Sequence, residues 1–150
     1  MHKVTVKSQT KFQQVITAGK NTQVSDEPVS KGGDDAGFSP YELLLASLGS
    51  CTAITLRLYA DRKGWPVKST TVELSHEKVK ASDCPESVEK GEQLVDVIRI
   101  VTRVEGDLDE AQKERLLEVT RRCPVHRTVE GGPILVNQLE VVKRQKASTS

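Results

Sequence analysis

The feature that most constrains the fold is a long stretch without charge in the first half of the chain. No residue between Glu42 and Arg57 is charged, and nearly all of its side chains are apolar or small. Positions that recur on one stripe at helical spacing are Leu44, Leu48, Cys51, Thr55 and Leu58. Other apolar side chains cover the remaining sides, so the pattern predicts a helix that is buried nearly all round.

The bounds of this helix can be read from its ends. Ser39 is a suitable N-cap, Pro40 suits the first helical position, and Glu42 completes a Ser-x-x-Glu capping box. Gly64 is the residue type that ends a helix, so we predict a helix from Pro40 to Lys63. A 150-residue chain has few other elements to cover such a helix. We therefore expect a second subunit to supply part of the cover.

The remaining segments predict an α+β fold in one domain spanning residues 1–150. Two or three antiparallel strands are expected in the first 30 residues, followed by a glycine-rich loop before the long helix. The expected later elements are strands Val67 to His76 and Gln93 to Val104, a helix opening at Asp109, a short helix after Pro124, a strand from Ile134 to Val142, and a frayed tail from Lys143 to Ser150. A polar connection, residues 77–92, is expected between the two middle strands.

Composition excludes several classes of function. The chain carries 22 Lys and Arg against 21 Asp and Glu, so it lacks the basic surface that a nucleic-acid-binding protein uses. Its longest uncharged run is shorter than the roughly 20 residues of a membrane span, and its N-terminus lacks the apolar core of a signal peptide. We expect a soluble, cytoplasmic protein with neither a nucleic-acid nor a membrane partner. In that compartment its three cysteines favour reduced, catalytic or metal-binding thiols over a disulfide framework.

Two cysteines are the candidate catalytic residues. Cys51 occupies a position where a core helix normally carries an aliphatic residue, and Cys123 lies in the cationic run Arg121-Arg-Cys-Pro-Val-His126. One thiol could act as a nucleophile and the other as the group that resolves it. The alternatives are a small core side chain for Cys51 and a helix-terminating Cys-Pro for Cys123. Cys51 is too far into its helix for the helix dipole to lower its pKa, so a cation has to be supplied from elsewhere.

A metal site is a weaker alternative. The side chains available for zinc are Cys51, Cys84, Cys123, His76 and His126. No Cys-x-x-Cys pair anchors such a site, and Cys84 lies in a polar connection. His126 is a candidate base or ligand, although a lone histidine is more often a surface hydrogen-bonding residue. We expect neither a metal nor another cofactor.

Three segments together resemble one known family. Gly32 to Ala53, Tyr59 to Trp65 and Arg122 to His126 are similar to the OsmC/Ohr family of osmotically inducible and organic hydroperoxide resistance proteins, and closest to its OsmC-like branch. The resemblance covers nearly the whole chain. It implies an OsmC-like α+β fold in which antiparallel strands wrap a long buried central helix. It also implies an intertwined homodimer with its active sites at the subunit interface.

The resemblance also implies a reaction. The thiol matching Cys51 attacks the peroxide O–O bond and becomes a sulfenic acid, and the thiol matching Cys123 condenses with it to a disulfide. The substrate would be an organic hydroperoxide, and the reductant an external dithiol, for which a lipoyl group is one candidate. Folding must then bring the Cα atoms of Cys51 and Cys123 to within about 7 Å, or a segment must move to do so.

Two positions depart from the hydroperoxide-reducing relatives. Those relatives take an activating arginine from their N-terminal strands, whereas the first arginine of this chain is Arg57. They also carry a carboxylate directly after the proline of the helix motif, where this chain has Tyr41. Glu42 is therefore the candidate carboxylate, and Arg127 or Lys20 the candidate cation.

Three hypotheses of different class follow for the function of the chain. The first is a peroxidase acting on organic hydroperoxides, with hydrogen peroxide a poorer substrate because the helix would line an apolar pocket. The second is a protein of the same fold that binds a small apolar or thiol-bearing ligand without turnover. The third is a metal-thiolate protein.

Overall fold

A computed structural model describes residues 1–143 of the chain. Its first unit is a three-stranded antiparallel sheet, β1 (Thr5–Ser8), β2 (Gln14–Ala18) and β3 (Asn21–Ser25), with β2 in the centre. Gly19 makes the tight turn between β2 and β3 with a φ of 59°, a conformation that costs glycine little. Two or three antiparallel strands were expected in the first 30 residues, and three are present.

The long helix α1 spans Pro40–Lys63, as predicted. Ser39 and Glu42 form the reciprocal capping box at its start, and Gly64 ends it in the left-handed conformation. By length and composition α1 could cross a membrane, but the core helix of a soluble protein passes the same test. Here α1 packs against the second sheet and the two later helices.

The second sheet is a long two-stranded antiparallel ribbon, β4 (Val67–Lys80) and β5 (Leu94–Gly106). Both strands run past their predicted ends, so part of the segment 77–92, expected as a polar connection, is strand. Cross-strand ion pairs between exposed side chains support the extension of β4: Arg99 lies 3.2 Å from Glu77, and Lys78 lies 2.8 Å from Asp96. Charged pairs of this kind let a solvated strand continue through a polar sequence.

Two helices complete the fold. Helix α2 (Glu110–Thr120) is capped by Asp109 through a second capping box, and α3 (Pro124–Gly131) is capped by Cys123. Both helices were expected at these positions. The hydrophobic core between α1, α2 and the start of β4 consists of Leu56, Ala60, Val67, Leu116 and Val119. The α+β fold class is therefore confirmed.

The burial of α1 differs from the prediction. Its buried residues are Leu48, Gly49, Thr52, Leu56 and Ala60, which form one stripe at four-residue spacing. On the opposite side Ile54 is 57% exposed and Leu58 is 60% exposed, so Leu58 does not belong to the buried stripe. Among residues 1–143, the other elements cover one side of α1 only.

The expected strand from Ile134 to Val142 is wrong for the single chain. This segment forms neither helix nor strand, and its apolar side chains are exposed. A strand is stabilised by hydrogen bonds to a neighbouring edge, and no strand among residues 1–143 pairs with this segment. The tail predicted from Lys143 to Ser150 lies, from residue 144 onward, outside the described residues.

Candidate functional site

The two cysteines selected from the sequence lie next to each other in the fold. Cys51, in the middle of α1, and Cys123, at the start of α3, are 72 positions apart in sequence, yet their Cα atoms are 5.8 Å apart. That distance is usual for a disulfide, and the two sulfur atoms are bonded. The packing of α3 against α1 produces this contact.

Cys123 has a defined local role as the N-cap of α3. Pro124 occupies the first helical position, where its missing N–H leaves no bond unmade. The Sγ atom of Cys123 accepts a hydrogen bond from the backbone N–H of His126 at 3.4 Å. The residue is completely buried, with 0% exposure. The sulfur of Cys123 is therefore buried, and it accepts one of the N–H groups at the start of α3 that have no partner within the helix.

Cys51 lies at the border of the buried stripe of α1 and is half-buried. Its neighbour Thr52 is buried and donates its hydroxyl to the carbonyl of Leu48 at 2.8 Å, which removes an otherwise unpaired polar group from the core. Among the described residues, no side chain or backbone donor contacts the sulfur of Cys51. The half-exposed position of Cys51 makes it the more accessible of the two sulfurs.

Glu42 has a structural role that its sequence pattern already suggested. Its Oε2 atom accepts a hydrogen bond from the backbone N–H of Ser39 at 2.8 Å. Glu42 and Cys51 are nine residues apart on one helix, which places them about 13 Å apart along its axis. Within one chain the carboxylate is therefore beyond direct hydrogen-bonding distance of the thiol. A catalytic role for Glu42 stays a prediction.

The candidate cations are exposed. Lys20 lies in the turn between β2 and β3, Arg127 lies one turn into α3, and Arg121 and Arg122 lie between α2 and Cys123. Within residues 1–143, none of these four side chains donates a hydrogen bond to the sulfur of Cys51 or of Cys123, and none forms an ion pair with either sulfur. Arg127 is tied to Cys123 through its backbone only, donating its N–H to the Cys123 carbonyl at 3.1 Å.

The side chains considered for zinc are not assembled as a metal site. Cys84 is buried and donates its S–H to Glu86, while His76 contacts Asp96 through Nε2 at 2.7 Å. Over residues 1–143, no group of three or more His, Cys, Asp or Glu side chains is placed to hold a metal ion. The Nδ1 atom of His126 is buried without a hydrogen-bond partner and lies 3.7 Å from Glu130.

Two features near α1 were missed from the sequence. The ring of Tyr41 stacks on that of His76 with their centroids 4.2 Å apart, and Asp96 accepts from both His76 and Lys78. The bond from Lys78, followed by that from His76, lowers the pKa of the Asp96 carboxyl, although burial opposes this. The same contact raises the pKa of Lys78. Tyr41, at the start of α1, is thereby fixed against β4, but no sequence signal links residues so far apart.

The second missed feature is Asp26, which is 2% exposed. Burial alone would raise the pKa of its carboxyl. Backbone N–H donors outweigh burial and hold the pKa below its usual value, the strongest being Ala36, followed by Glu27 and Asp34. The three hydrogen bonds are 2.8 to 3.1 Å long. Asp26 thus fixes the glycine-rich loop that leads into α1.

Two grooves on the described surface are lined without a cysteine. One groove of about 490 Å³ runs between α2 and β5, and its apolar lining includes Leu56, Val104, Leu108, Leu116 and Leu117. The other, of about 500 Å³, lies beside the loop before α1 and includes Phe38 and Glu42. Only Leu56 of the apolar α1 residues lines the first groove. Neither of these two grooves is the apolar pocket that was expected around Cys51.

Solved structures resemble this fold at low sequence identity. An OsmC-like protein from Mycoplasma pneumoniae is 18% identical, with a TM-score of 0.68 over 88% of this chain and 89% of that one. The organic hydroperoxide resistance protein OhrB of Bacillus subtilis is 20% identical, with a TM-score of 0.59 over 88% and 92%. An organic hydroperoxide resistance protein from Legionella pneumophila is 15% identical, with a TM-score of 0.62 over 87% and 90%.

The chain matches no curated protein sequence. The family model described as OsmC-like protein matches residues 32–137, which is more than half of the chain and includes both Cys51 and Cys123. The segments that carried the resemblance in the sequence begin at the same residue and lie within this range. The chain therefore belongs to the OsmC-like protein family.

Proposed function

We propose that this protein is a thiol-dependent peroxidase that reduces organic hydroperoxides. The observation that carries the proposal is the contact between Cys51 and Cys123, whose Cα atoms lie 5.8 Å apart although 72 positions separate them in sequence. Membership of the OsmC-like family and the fold shared with organic hydroperoxide resistance proteins support a role in hydroperoxide resistance.

The proposed reaction has three steps. The Cys51 thiolate attacks the peroxide O–O bond, forms a sulfenic acid and, with one proton, releases an alcohol. The Cys123 thiol then condenses with the sulfenic acid, which forms the disulfide and releases water. An external dithiol reduces the disulfide and is itself oxidised. The two electrons that reduce the peroxide thus come from the dithiol, for which a lipoyl group is one candidate.

The substrate class follows from the surroundings of Cys51. The chain carries no charge from Leu43 to Leu56, so an alkyl chain bound beside the thiol would meet apolar or small side chains. Hydrogen peroxide gains nothing from such a surface and should be the poorer substrate. Arg127 and Glu42 are proposed as auxiliary groups, the first favouring the Cys51 thiolate and the second supplying a carboxylate, although within one chain Glu42 lies about 13 Å along α1 from Cys51. The protein would work as a cytoplasmic homodimer, each chain forming one OsmC-like domain.

Single-cysteine variants test the function. With a dithiol as reductant, Cys51→Ser should reduce peroxide consumption to the uncatalysed rate, because the attacking sulfur is lost. Treated with excess hydroperoxide in the absence of any dithiol, Cys123→Ser should accumulate sulfinic acid on Cys51, because no second thiol resolves the sulfenic acid. Cys84→Ser is the matched control, since it removes a thiol outside the pair. Arg127→Ala and Glu42→Gln should slow the reaction without abolishing it.

Mass spectrometry provides the deciding measurement. Reduced protein treated with substoichiometric cumene hydroperoxide should yield the Cys51–Cys123 disulfide. If both thiols can still be alkylated after excess hydroperoxide, the peroxidase function is contradicted and a ligand-binding role is favoured. Metal analysis of protein purified without chelator addresses the metal-thiolate alternative, which would require bound metal in stoichiometric amount.

A further inference from the structure

The two sulfurs of the disulfide differ in their access to solvent. Cys123 is completely buried, whereas Cys51 is half-buried on the border of the buried stripe of α1. In thiol–disulfide exchange the attacking thiolate must reach one particular sulfur while the other sulfur departs. Within residues 1–143, Cys51 is therefore the cysteine that a thiol arriving from solvent meets first.

The two sulfurs also differ as leaving groups. The Sγ atom of Cys123 accepts the N–H of His126, a donor that becomes stronger towards a negatively charged sulfur. Cys51 lies in the interior of α1, where the backbone N–H groups are used within the helix. A thiol held as a thiolate leaves faster.

We propose that reduction of the disulfide has a fixed direction, in which the reductant attacks Cys51 and Cys123 is the leaving thiolate. The inference rests on the disulfide of the proposed function. In the first step the S–S bond between the two cysteines breaks, and a mixed disulfide forms between the reductant and Cys51. The electron pair of the broken bond stays on Cys123. In the second step the other thiol of the reductant attacks its own sulfur and releases Cys51 as a thiolate.

This direction favours a dithiol over a monothiol as the reductant. After the first step the Cys123 thiolate remains beside the mixed disulfide, because the Cα atoms are 5.8 Å apart, and it can attack Cys51 again and expel the reductant. A monothiol from solution competes poorly with that intramolecular reversal. A dithiol supplies its own intramolecular attack. The class of reductant that fits is thus a small or flexibly tethered dithiol that approaches the α1 side of the disulfide.

The test maps the mixed disulfide and does not depend on peroxide chemistry. The wild-type protein is oxidised with diamide, which forms the disulfide whether or not the protein is a peroxidase. It is then mixed with excess glutathione, quenched early with acid, alkylated and mapped by peptide mass spectrometry. We expect glutathione on Cys51 at least about tenfold more often than on Cys123. The same reaction in denaturing urea is the control and should give comparable amounts on both, because unfolding removes the difference in access.

Single-sulfur adducts give a second measurement. Cys123→Ser and Cys51→Ser proteins, each also carrying Cys84→Ser, are loaded with thionitrobenzoate in urea and refolded by dilution. Release of the thionitrobenzoate by dithiothreitol is followed by absorbance. The adduct on Cys51 should be cleaved at least about tenfold faster than the adduct on Cys123. Glutathione mainly on Cys123 in the native protein, or equal rates for the two adducts, would overturn the proposal. A protein that lacks peroxidase activity but shows the Cys51 preference would contradict the proposed function alone.

Discussion

At the scale of single residues, Asp26 shows how one buried carboxylate organises the approach to the site. Its three backbone donors come from its neighbour Glu27 and from the loop residues Asp34 and Ala36. The backbone of Asp26 also donates to the Phe38 carbonyl at 3.1 Å. The ionised carboxylate of Asp26 therefore holds the loop before α1 in place. The contribution of this carboxylate to the stability of the fold depends on pH.

Replacing Asp26 by Asn tests this contribution. At pH 7 we expect the variant to melt a few degrees lower, because an amide cannot accept all three hydrogen bonds and its NH₂ group faces donors. The folded pKa of Asp26 is depressed, so its stabilisation is complete above the unfolded value of about 3.9 and is lost as the pH falls through the folded pKa. The difference between wild type and variant should shrink in that acidic range. Urea unfolding at a series of pH values measures it.

Asp35→Asn is the matched control, because Asp35 is exposed in the same loop and its φ of 53° also suits asparagine. It should leave the melting temperature within about one degree of wild type. An equal loss in both variants, or a loss in Asp26→Asn that is the same at every pH, would contradict the role assigned to the Asp26 charge.

At the scale of elements, the ends of the helices place the two sulfurs. The capping box at Ser39 starts α1 and thereby sets which residues face the core, and Cys123 starts α3 with its sulfur directed at a free N–H. The loop before α1 must also approach β3 closely, because Ser25 and Phe38 form an isolated parallel bridge. Gly37 makes this approach possible. A Cβ atom there would lie 2.1 Å from the Val24 carbonyl oxygen.

Gly37→Ala should therefore destabilise the protein by about 1–3 kcal/mol, because the obstacle is backbone, which cannot rotate away. Chemical denaturation measures the change in the free energy of unfolding. Gly131→Ala is the control, since a Cβ at Gly131 meets nothing within 4 Å and alanine is the better helix former. A Gly37→Ala protein as stable as wild type would show that β3 and the loop are not in close contact.

At the scale of the whole molecule, one chain leaves apolar surface uncovered. The exposed side of α1 carries Ile54 and Leu58, the apolar groove between α2 and β5 is open, and the segment 134–142 exposes six apolar side chains. Soluble monomers rarely expose apolar patches of this extent. These surfaces support the proposed homodimer.

Light scattering with size-exclusion chromatography tests the dimer. The wild-type protein should have twice the chain mass of 16.5 kDa. Ile54→Lys combined with Leu58→Lys should give a monomer or a much weaker dimer, because charges would be buried in the interface. Val88→Lys is the control, since Val88 is 92% exposed in the polar connection and should not affect assembly. A monomeric wild-type protein would rule out the dimer.

The sequence by itself determined the local features. Capping residues, glycines and apolar spacing depend on a few neighbouring positions, and for that reason α1 was predicted to the residue, the starts of α2 and α3 were predicted correctly, and Cys51 and Cys123 could be selected as candidates. The tertiary structure alone decided what depends on distant contacts: the proximity of the two sulfurs, the burial of Asp26, and which side of α1 is covered. The segment from Ile134 to Val142 has the composition of a strand, but composition supplies no neighbouring edge. The hydrogen bonds of a strand and the burial of its side chains depend on a neighbouring segment that only the folded chain brings close. The pattern of residues within one segment therefore cannot specify them.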